Sequence, residues 1–331
     1  MKRIAIIGAG SWGTALAIVA ARAGHEVQLW SRNADVVKSI NEQHLNSHYL
    51  KSVQIPVSVV ATSELNAALN NAELVLFAAP SHAARELFTA ISAHLNEAII
   101  VNVSKGIEIE TGKRISEIVK EIVGATNSFV CLSGPSFARE VVNGHPTAIV
   151  AASKDPAAAR AVQNDLSFEN LRIYTNTDVI GTEIGGSVKN VMAIAAGMAT
   201  GLGFGSNSVA ALITRGLAEI TRLARREGAQ VDTLMGLAGL GDLVLTCTGA
   251  LSRNRFVGEE LGKGKRLEQI TAELSEVAEG INTARAVKKL ADRAGLEMPI
   301  VNEVNAVLYE NRSASDAVSE LMSRPLREEA H

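Results

Sequence analysis

The stretch that decides the fold lies near the amino terminus, where residues 4–13 read IAIIGAGSWG. Four apolar residues predict a short strand, which runs directly into a G-x-G-x-x-G motif that opens a helical pattern. Gly8 permits a tight turn, Gly10 permits close approach to the backbone, and Gly13 permits the helix to pack on the strand. The first N–H groups of such a helix attract phosphate. The segment therefore predicts a dinucleotide site at a βα turn.

Short apolar runs alternate with helical patterns through the first half of the chain. Their near-continuous Val, Ile, Leu and Ala content is typical of strands buried on both faces of a parallel sheet. These runs are residues 4–7, 27–30, 57–60, 74–78, 99–103 and 129–132, with helical patterns such as 14–23 and 83–94 between them. We expect two later runs, residues 147–152 and 172–175, to extend or edge the same sheet. The alternation predicts a doubly wound α/β sheet.

After about residue 178 the strand-like runs disappear and long helical patterns take over. These patterns cover residues 186–200, 209–227, 278–294 and 301–310. Small residues such as Ala193, Ala196 and Gly197 would let the helices approach closely. We therefore expect an α/β protein with a Rossmann domain in residues 1–178. An all-helical substrate domain in residues 179–331 would pack tightly on it, because no linker composition separates the two.

Composition excludes several classes of function. The chain has 331 residues, too many for one typical core, and its net charge of −3 offers no overall basic field for nucleic acid. The longest apolar stretch, residues 191–205, is too short for a membrane span and is broken by glycines. Neither a targeting segment nor a membrane span is evident, so we expect a cytoplasmic protein. The Ala/Gly-rich helical part suits a homodimer.

The two cysteines, Cys131 and Cys247, lie far apart and show no metal-ligand spacing. We therefore expect no metal site. Two buried free thiols in a reducing cytosol are the expectation. A nucleophilic Cys247 is the alternative, because it lies in a segment rich in other candidate groups.

The end of the second predicted strand, residues 30–33, reads WSRN. An NAD enzyme usually places a carboxylate there to hold the ribose 2′-hydroxyl. Here no carboxylate would repel a 2′-phosphate, and Arg32 could bind one. We therefore expect NADP(H) or NAD(H) to bind, with NADP(H) preferred. The alternative is that Arg32 only stacks on the adenine.

A carbonyl reductase also needs a proton donor and a group to orient it. Lys189 lies in GGSVKN (residues 185–190), next to a continuous apolar run, and burial would lower its pKa toward a useful range. A surface lysine is the alternative. Asp242 and Thr246 lie four residues apart in AGLGDLVLT (residues 238–246), so they would share a helix face. A helix N-cap is the alternative role for Asp242.

Three further segments offer groups for an anionic substrate. In LSRN (residues 251–254), Ser252 resembles an N-cap, which would place Arg253 and Asn254 at a positive helix end. The alternative is an ordinary charged first turn. Two loops follow predicted strands: VNVSKG (residues 101–106), which carries Lys105, and SGPSFA (residues 133–138). Ligands of open α/β sheets bind at such strand ends.

Together these segments resemble the bacterial NAD(P)-dependent glycerol-3-phosphate dehydrogenase family. The matching pieces keep the family's order and span nearly the whole chain. They are GAGSWG (residues 8–13), VSKG (103–106), SGPSFA (133–138), GGSVKN (185–190), AGLGDLVLTC (238–247), LSRN (251–254) and EGINTARAV (279–287).

The resemblance implies reversible reduction of dihydroxyacetone phosphate to sn-glycerol 3-phosphate, which supplies phospholipid synthesis. It makes Lys189 the proton donor and acceptor, with Lys105 and Asp242 beside it. The implied substrate contacts are Lys105, Gly134, Ser136, Asp242, Ser252, Arg253 and Asn254, and we add Asn190 and Thr246 from the same segments. The implied cofactor contacts, besides Gly8, Gly10 and Gly13, are Ser11, Trp12, Arg32, Lys105, Ala138, Arg253, Val277 and Glu279.

Two other readings remain open at this point. A hydroxyacid dehydrogenase or ketopantoate reductase would share the glycine motif and a lysine, but would not need an Arg-Asn pair at a helix start. A regulatory module that binds NAD(P) without chemistry would have no use for Lys189 and Asp242 in a cleft.

Overall fold

The computed structural model describes residues 1–274, 277–326 and 328–329. Up to residue 176 strands alternate with helices, except that three strands follow one another in residues 45–62, and the described elements after residue 176 are helical. The strands are β1 (Arg3–Ile7), β2 (Glu26–Trp30), β3 (Leu45–Asn46), β4 (Leu50–Gln54), β5 (Val59–Thr62), β6 (Leu74–Phe77), β7 (Ile99–Asn102), β8 (Phe129–Ser133), β9 (Thr147–Ala152) and β10 (Leu171–Asn176).

The first half contributes seven short helices that cover the sheet. They are α1 (Ser11–Arg22), α2 (Ala34–Gln43), α3 (Leu65–Leu69), α4 (Ala84–Ile91), α5 (Ile115–Ile122), α6 (Ala138–Val142) and α7 (Pro156–Leu166). The second half is built from α8 (Val179–Gly201), α9 (Ser206–Arg226), α10 (Val231–Met235), α11 (Asp242–Thr248), α12 (Arg253–Gly262), α13 (Leu267–Glu273), α14 (Glu279–Ala294), α15 (Pro299–Tyr309) and α16 (Ala314–Ser323), with a π-helical turn at Leu237–Gly241.

The main sheet has the order β10-β9-β8-β7-β6-β1-β2-β5, and β8 and β9 are its antiparallel neighbours. From β1 the chain proceeds outward first through β2 and β5, and then in the other direction from β6. Because β1, β2, β5, β6, β7 and β8 run parallel, their carboxyl ends share one edge of the sheet. The α/β fold with a doubly wound sheet followed by helices is confirmed.

The third predicted strand is displaced, because residues 57–60 were expected and Val59–Thr62 is found. The N–H of Val59 bonds to the carbonyl of Pro56, so the preceding residues form a turn, and Val57 is 78% exposed. The small antiparallel hairpin of β3 and β4 was not expected from the sequence. The two later runs do extend the sheet, as β9 and β10.

Separate apolar clusters stabilise the two halves. One cluster includes Ile6, Leu16 and Leu29 and covers the α1 side of the sheet, while Phe77 and Phe88 anchor the cluster on its other face. A third cluster surrounds α8, most of which is buried. Among the described residues, none of the helices is both long and apolar enough to span a bilayer.

Helix α8 forms the centre of the helical half, and glycines allow α12 to cross it closely. A Cβ on Gly197 would lie 2.0 Å from the Arg255 carbonyl oxygen, and one on Gly258 would lie 2.0 Å from the Ile194 carbonyl oxygen. Neither backbone oxygen can turn away, because each belongs to a helix. The close helix packing expected around Gly197 is therefore confirmed.

We predict that Gly258→Ala destabilises the protein by about 2 kcal/mol or more, because the added methyl must push α12 away from α8. Urea unfolding followed by circular dichroism measures this loss. Gly205→Ala is the matched control, since its Cβ meets nothing within 4 Å and its φ is −84°. Equal stability of the two variants would contradict the proposed close packing.

Candidate active site

The glycine-rich loop joins β1 to α1, and each of its glycines has a distinct steric reason. Gly8 has a φ of +120°, and a Cβ there would lie 2.7 Å from the Ala78 carbonyl carbon. A Cβ on Gly13 would lie 1.9 Å from the Gly8 carbonyl oxygen. At Gly10 a Cβ would meet nothing within 4 Å, so this face of the loop is open. Gly10 is also the N-cap of α1 and has no side chain to shield the helix start. This loop fits the pyrophosphate of a dinucleotide.

The other expected cofactor positions lie around the same edge of the sheet. Ser11 Oγ donates to the Tyr49 carbonyl oxygen (3.3 Å), and the half-buried Trp12 packs on the sheet core. Arg32 is exposed and follows the carboxyl end of β2. Ala138 is the first residue of α6, and Val277 is exposed just before α14. Their contacts with a cofactor stay predictions.

Lys189 lies on α8 and is only 6% exposed. Its Nζ donates to Asp242 Oδ1 and to Thr246 Oγ1, the latter at 2.6 Å. Burial lowers the pKa of Lys189 to about 7, although the ion pair with Asp242 opposes that shift. The alternative of a surface lysine is therefore wrong.

Asp242 is fully buried at the first position of α11, directly after the π-helical turn. Its second oxygen, Oδ2, accepts from Lys105 Nζ at 2.6 Å, so the two ammonium groups share one carboxylate. Thr246 Oγ1 donates to the Asp242 backbone carbonyl oxygen (2.7 Å), which fixes the rotamer of the threonine. The N-cap alternative for Asp242 is wrong, because Gly241 is the N-cap and the carboxylate binds the lysines.

Lys105 comes from the sheet, in the loop that follows β7. Its Nζ also donates to the Gly134 carbonyl oxygen (3.2 Å), which accepts a second bond from Ser136 Oγ (3.0 Å). Gly134 has a φ of +137°, and a Cβ there would lie 2.9 Å from Ile149 Cα, so a larger residue would not fit. The two loops expected at the strand ends therefore meet at the Lys105 ammonium, which binds the carboxylate of the helical half.

The segment that is expected to bind an anion lies at the start of α12. Ser252 is its N-cap, since Ser252 Oγ accepts from the Arg255 N–H (3.2 Å). Arg253 is exposed in the first turn. The buried Asn254 donates through Nδ2 to Asn190 Oδ1 (3.0 Å), and Asn190 directly follows Lys189 on α8. The helix start is thus connected to the lysine centre through one amide pair.

Glu279, expected at the cofactor, has a partner that the sequence reasoning missed. Its carboxylate accepts from the Ser81 N–H (3.0 Å) and from Ser81 Oγ (2.6 Å). Ser81 lies four residues beyond β6, at the same sheet edge as Gly8 and Lys105. The position of Ser81 shortly after a predicted strand could have marked it as a site residue. Nothing in the sequence, however, links Ser81 to Glu279, which lies 198 positions away.

Both cysteines are buried. Cys247 lies near Lys189 and Asp242, and burial raises the pKa of its thiol to about 12. Burial also raises the pKa of Cys131. A thiolate is therefore disfavoured at both positions, which argues against the alternative of a nucleophilic Cys247.

Comparison with known proteins covers nearly the whole chain. The family model for the NAD-dependent glycerol-3-phosphate dehydrogenase N-terminus matches residues 3–159, and that for the C-terminus matches residues 178–319. A glycerol-3-phosphate dehydrogenase [NAD(P)+] of Koribacter versatilis is 53% identical over 98% of both chains. That of Citrifermentans bemidjiense is 49% identical over 99% of both chains.

A solved structure agrees with these matches. The crystal structure of glycerol-3-phosphate dehydrogenase from Coxiella burnetii superposes with a TM-score of 0.95 and is 40% identical. It covers 98% of this chain, which in turn covers 99% of that one. The glycine loop, the buried Lys189–Asp242 pair and these likenesses over the full length lead to one assignment: the chain belongs to the NAD-dependent glycerol-3-phosphate dehydrogenase family.

Proposed function

We propose that this chain catalyses the reversible reduction of dihydroxyacetone phosphate to sn-glycerol 3-phosphate with a nicotinamide dinucleotide. The observation that carries the proposal is the buried ammonium of Lys189, with a pKa of about 7, held beside Lys105 at the dinucleotide edge of the sheet. The names of the most similar relatives describe this activity and either NAD or NADP as cofactor. The product is the backbone precursor of glycerophospholipids.

A nicotinamide dinucleotide held by the glycine-rich loop would supply or accept the hydride at the substrate carbon. In the reduction, Lys189 donates a proton to the carbonyl oxygen that becomes the hydroxyl, and in the oxidation its neutral amine takes that proton back. Asp242 orients the amine through Oδ1, while Thr246 accepts a second bond from it. Lys105, whose Nζ donates to the other oxygen of Asp242, would lie next to the developing oxyanion and stabilise it. Cys247 takes no part, because burial holds its thiol in the neutral form.

The phosphate of the substrate is proposed to bind at the start of α12. Ser252 caps this helix, its first turn holds no acidic residue, and Arg253 projects there as an exposed cation. The hydrogen bond from Asn254 to Asn190 connects this helix start to α8, where Asn190 directly follows Lys189. Small residues at Gly134 and Ser136 would let the glycerol part lie against the backbone of the β8 loop. This arrangement favours a small phosphorylated ketone over an uncharged one.

We also propose a division into a dinucleotide domain, residues 1–178, and a substrate domain, residues 179–331. The last strand of the sheet ends at Asn176 and α8 begins at Val179, which supports it. A homodimer in the cytoplasm is the proposed assembly and location. Partly exposed apolar side chains of the helical half, such as Phe204 and Phe256, would suit a subunit contact.

The direct test is oxidation of NADPH, followed at 340 nm, on addition of dihydroxyacetone phosphate. We expect turnover that requires both compounds and leaves ketopantoate and 2-keto acids unreduced, since these lack the phosphate for which α12 is suited. Turnover of a 2-keto acid alone would assign the chain another substrate. Binding of NADPH without turnover of any ketone would support a regulatory module.

We predict that Lys189→Met lowers kcat at least about 100-fold, because the proton donor is lost. NADPH should still bind, since the glycine loop is untouched, and calorimetric titration measures that. Lys154→Met is the control, because Lys154 is an exposed lysine of the sheet domain. A Lys189→Met enzyme with near-normal turnover would remove the residue from its proposed role.

The pKa of Lys189 predicts opposite pH dependences for the two directions. The reduction needs the ammonium form, so kcat/KM should fall about tenfold for each pH unit above about 7. The oxidation needs the neutral amine, so its kcat/KM should fall in the same way below that pH. In Asp242→Asn the pH at which kcat/KM of the residual reduction begins to fall should move to a lower value, because Asp242 raises the pKa of Lys189. A flat reduction profile between pH 6 and 9 would contradict the assignment.

We predict that Arg32→Ala lowers the preference for NADPH over NADH, because Arg32 is proposed to bind the 2′-phosphate. The exposed guanidinium follows β2, where such a group would lie. Comparison of kcat/KM with both cofactors gives the measurement, and Arg160→Ala, another exposed arginine of this domain, serves as the control. If the ratio is unchanged, Arg32 only stacks on the adenine.

A further inference from the structure

The hairpin of β3 and β4 has no place in the main sheet. It lies between α2 and β5, in a connection that a doubly wound fold could make without it. Most of β4 is exposed, but Asn46 at the end of β3 is fully buried. A buried amide in a small exposed hairpin must be matched by hydrogen bonds, or it would destabilise the fold.

The Asn46 side-chain amide forms hydrogen bonds through both its nitrogen and its oxygen, and each atom contacts a different part of the chain. Its Nδ2 donates to the Ala9 carbonyl oxygen and to Thr14 Oγ1, both at 2.8 Å. Its Oδ1 accepts from the N–H groups of His48 (3.3 Å) and Tyr49 (3.2 Å) in the hairpin's own turn. Two donor bonds and two acceptor bonds are the full capacity of an amide. Asn46 is therefore a bridge between the hairpin and the dinucleotide loop.

The Ala9 carbonyl belongs to the Ala9–Gly10 peptide, in the middle of the glycine loop, so its direction sets the orientation of that peptide. In a trans peptide the C=O and the following N–H point in opposite directions. Fixing the Ala9 carbonyl on Asn46 therefore directs the Gly10 N–H away from it. Thr14 Oγ1, which accepts from the Asn46 amide, itself donates to the Ala9 carbonyl oxygen (3.3 Å), so Ala9, Thr14 and Asn46 are joined by three hydrogen bonds.

A second contact fastens the hairpin to the start of α1. Ser11 Oγ donates to the Tyr49 carbonyl oxygen (3.3 Å), and Tyr49 packs on the core of the sheet. The hairpin thus contacts the glycine loop at two places, at Ala9 and at Ser11, the first residue of α1. Glycines give this loop freedom in the absence of such contacts, since they lose more conformational entropy on ordering than other residues.

We infer that Asn46 is a positioning residue for the dinucleotide: it holds the Ala9–Gly10 peptide in the phosphate-binding orientation before the cofactor arrives. The inference rests on the proposed binding of the dinucleotide at residues 8–13. The hairpin then keeps the glycine loop ordered in the absence of cofactor. Part of the cofactor affinity comes from this ordering, because a pre-ordered loop loses less entropy on binding.

The test uses two substitutions that remove different halves of the bridge. Asn46→Ala removes all four bonds, whereas Asn46→Asp retains the oxygen that accepts from the hairpin and loses the amide donors to Ala9 and Thr14. Asn305 provides the matched control, because it is also buried and its Nδ2 also donates two hydrogen bonds, here to the carbonyl oxygens of Ala284 (2.8 Å) and Val301 (3.0 Å) in the helical half. The same two substitutions are made at Asn305.

Calorimetric titration of the ligand-free proteins with NADPH is the main readout, and thermal unfolding reports stability. We expect the Kd for NADPH to rise about tenfold or more in both Asn46 variants, because both lose the amide donor bonds to the Ala9 carbonyl and to Thr14 Oγ1. The KM for dihydroxyacetone phosphate at saturating NADPH should stay within about twofold of the wild type. The Asn305 variants should lose stability and keep their NADPH affinity.

Unchanged NADPH affinity in the Asn46 variants, or an equal loss in the Asn305 variants, overturns the inference. A wild-type protein that binds no NADPH removes the proposed function instead, so the two failures are distinguishable. Should both Asn46 variants fail to fold, Thr14→Val makes the same test, because Thr14 Oγ1 is the hydroxyl that the Asn46 amide and the Ala9 carbonyl share. Weaker NADPH binding by Thr14→Val supports the inference, and wild-type binding contradicts it.

Discussion

The proposed active site depends on one buried carboxylate that two ammonium groups share. Asp242 binds Lys189 through one oxygen and Lys105 through the other, and it has no exposed surface. A single buried charge would cost several kcal/mol, and this cost falls only when partners surround it. With both lysines protonated the cluster carries one positive charge, and after Lys189 gives up its proton it carries none. A small anionic substrate bound at this proposed site would therefore meet a charge that changes with the reaction.

This cluster also joins the two halves of the chain. Lys105 follows a strand of the sheet, whereas Lys189 and Asp242 belong to helices of the second half. A second buried contact lies further toward the start of α8, where Glu183 accepts from Ser116 and from Arg114 Nη1 (3.3 Å) at the start of α5. Helix α8 is thus fixed to the sheet half at two levels. A change in the packing of the halves would therefore move the Lys189 amine relative to the carboxyl edge of the sheet.

Glycines on α8 and on the helices that cross it make that arrangement possible. Gly197 and Gly258 let α8 and α12 touch through their backbones, and a Cβ on Gly280 would lie 2.7 Å from the Asn190 carbonyl oxygen. Such close crossings leave no room for adjustment, because dense interiors do not deform continuously. The positions of Lys189 and Asn254 are therefore set by backbone contacts rather than by flexible side chains.

The sequence alone determined the alternation of strand and helix, the glycine loop and the segments that carry Lys105, Lys189 and Asp242. These are local patterns, since periodicity and glycine spacing are written in neighbouring residues. It could not give the sharing of Asp242 by two lysines, the pairing of Ser81 with Glu279, or the role of Asn46. Those contacts join residues up to 198 positions apart. They exist only because the parallel strands bring their carboxyl ends to one edge and the helices pack closely beside it.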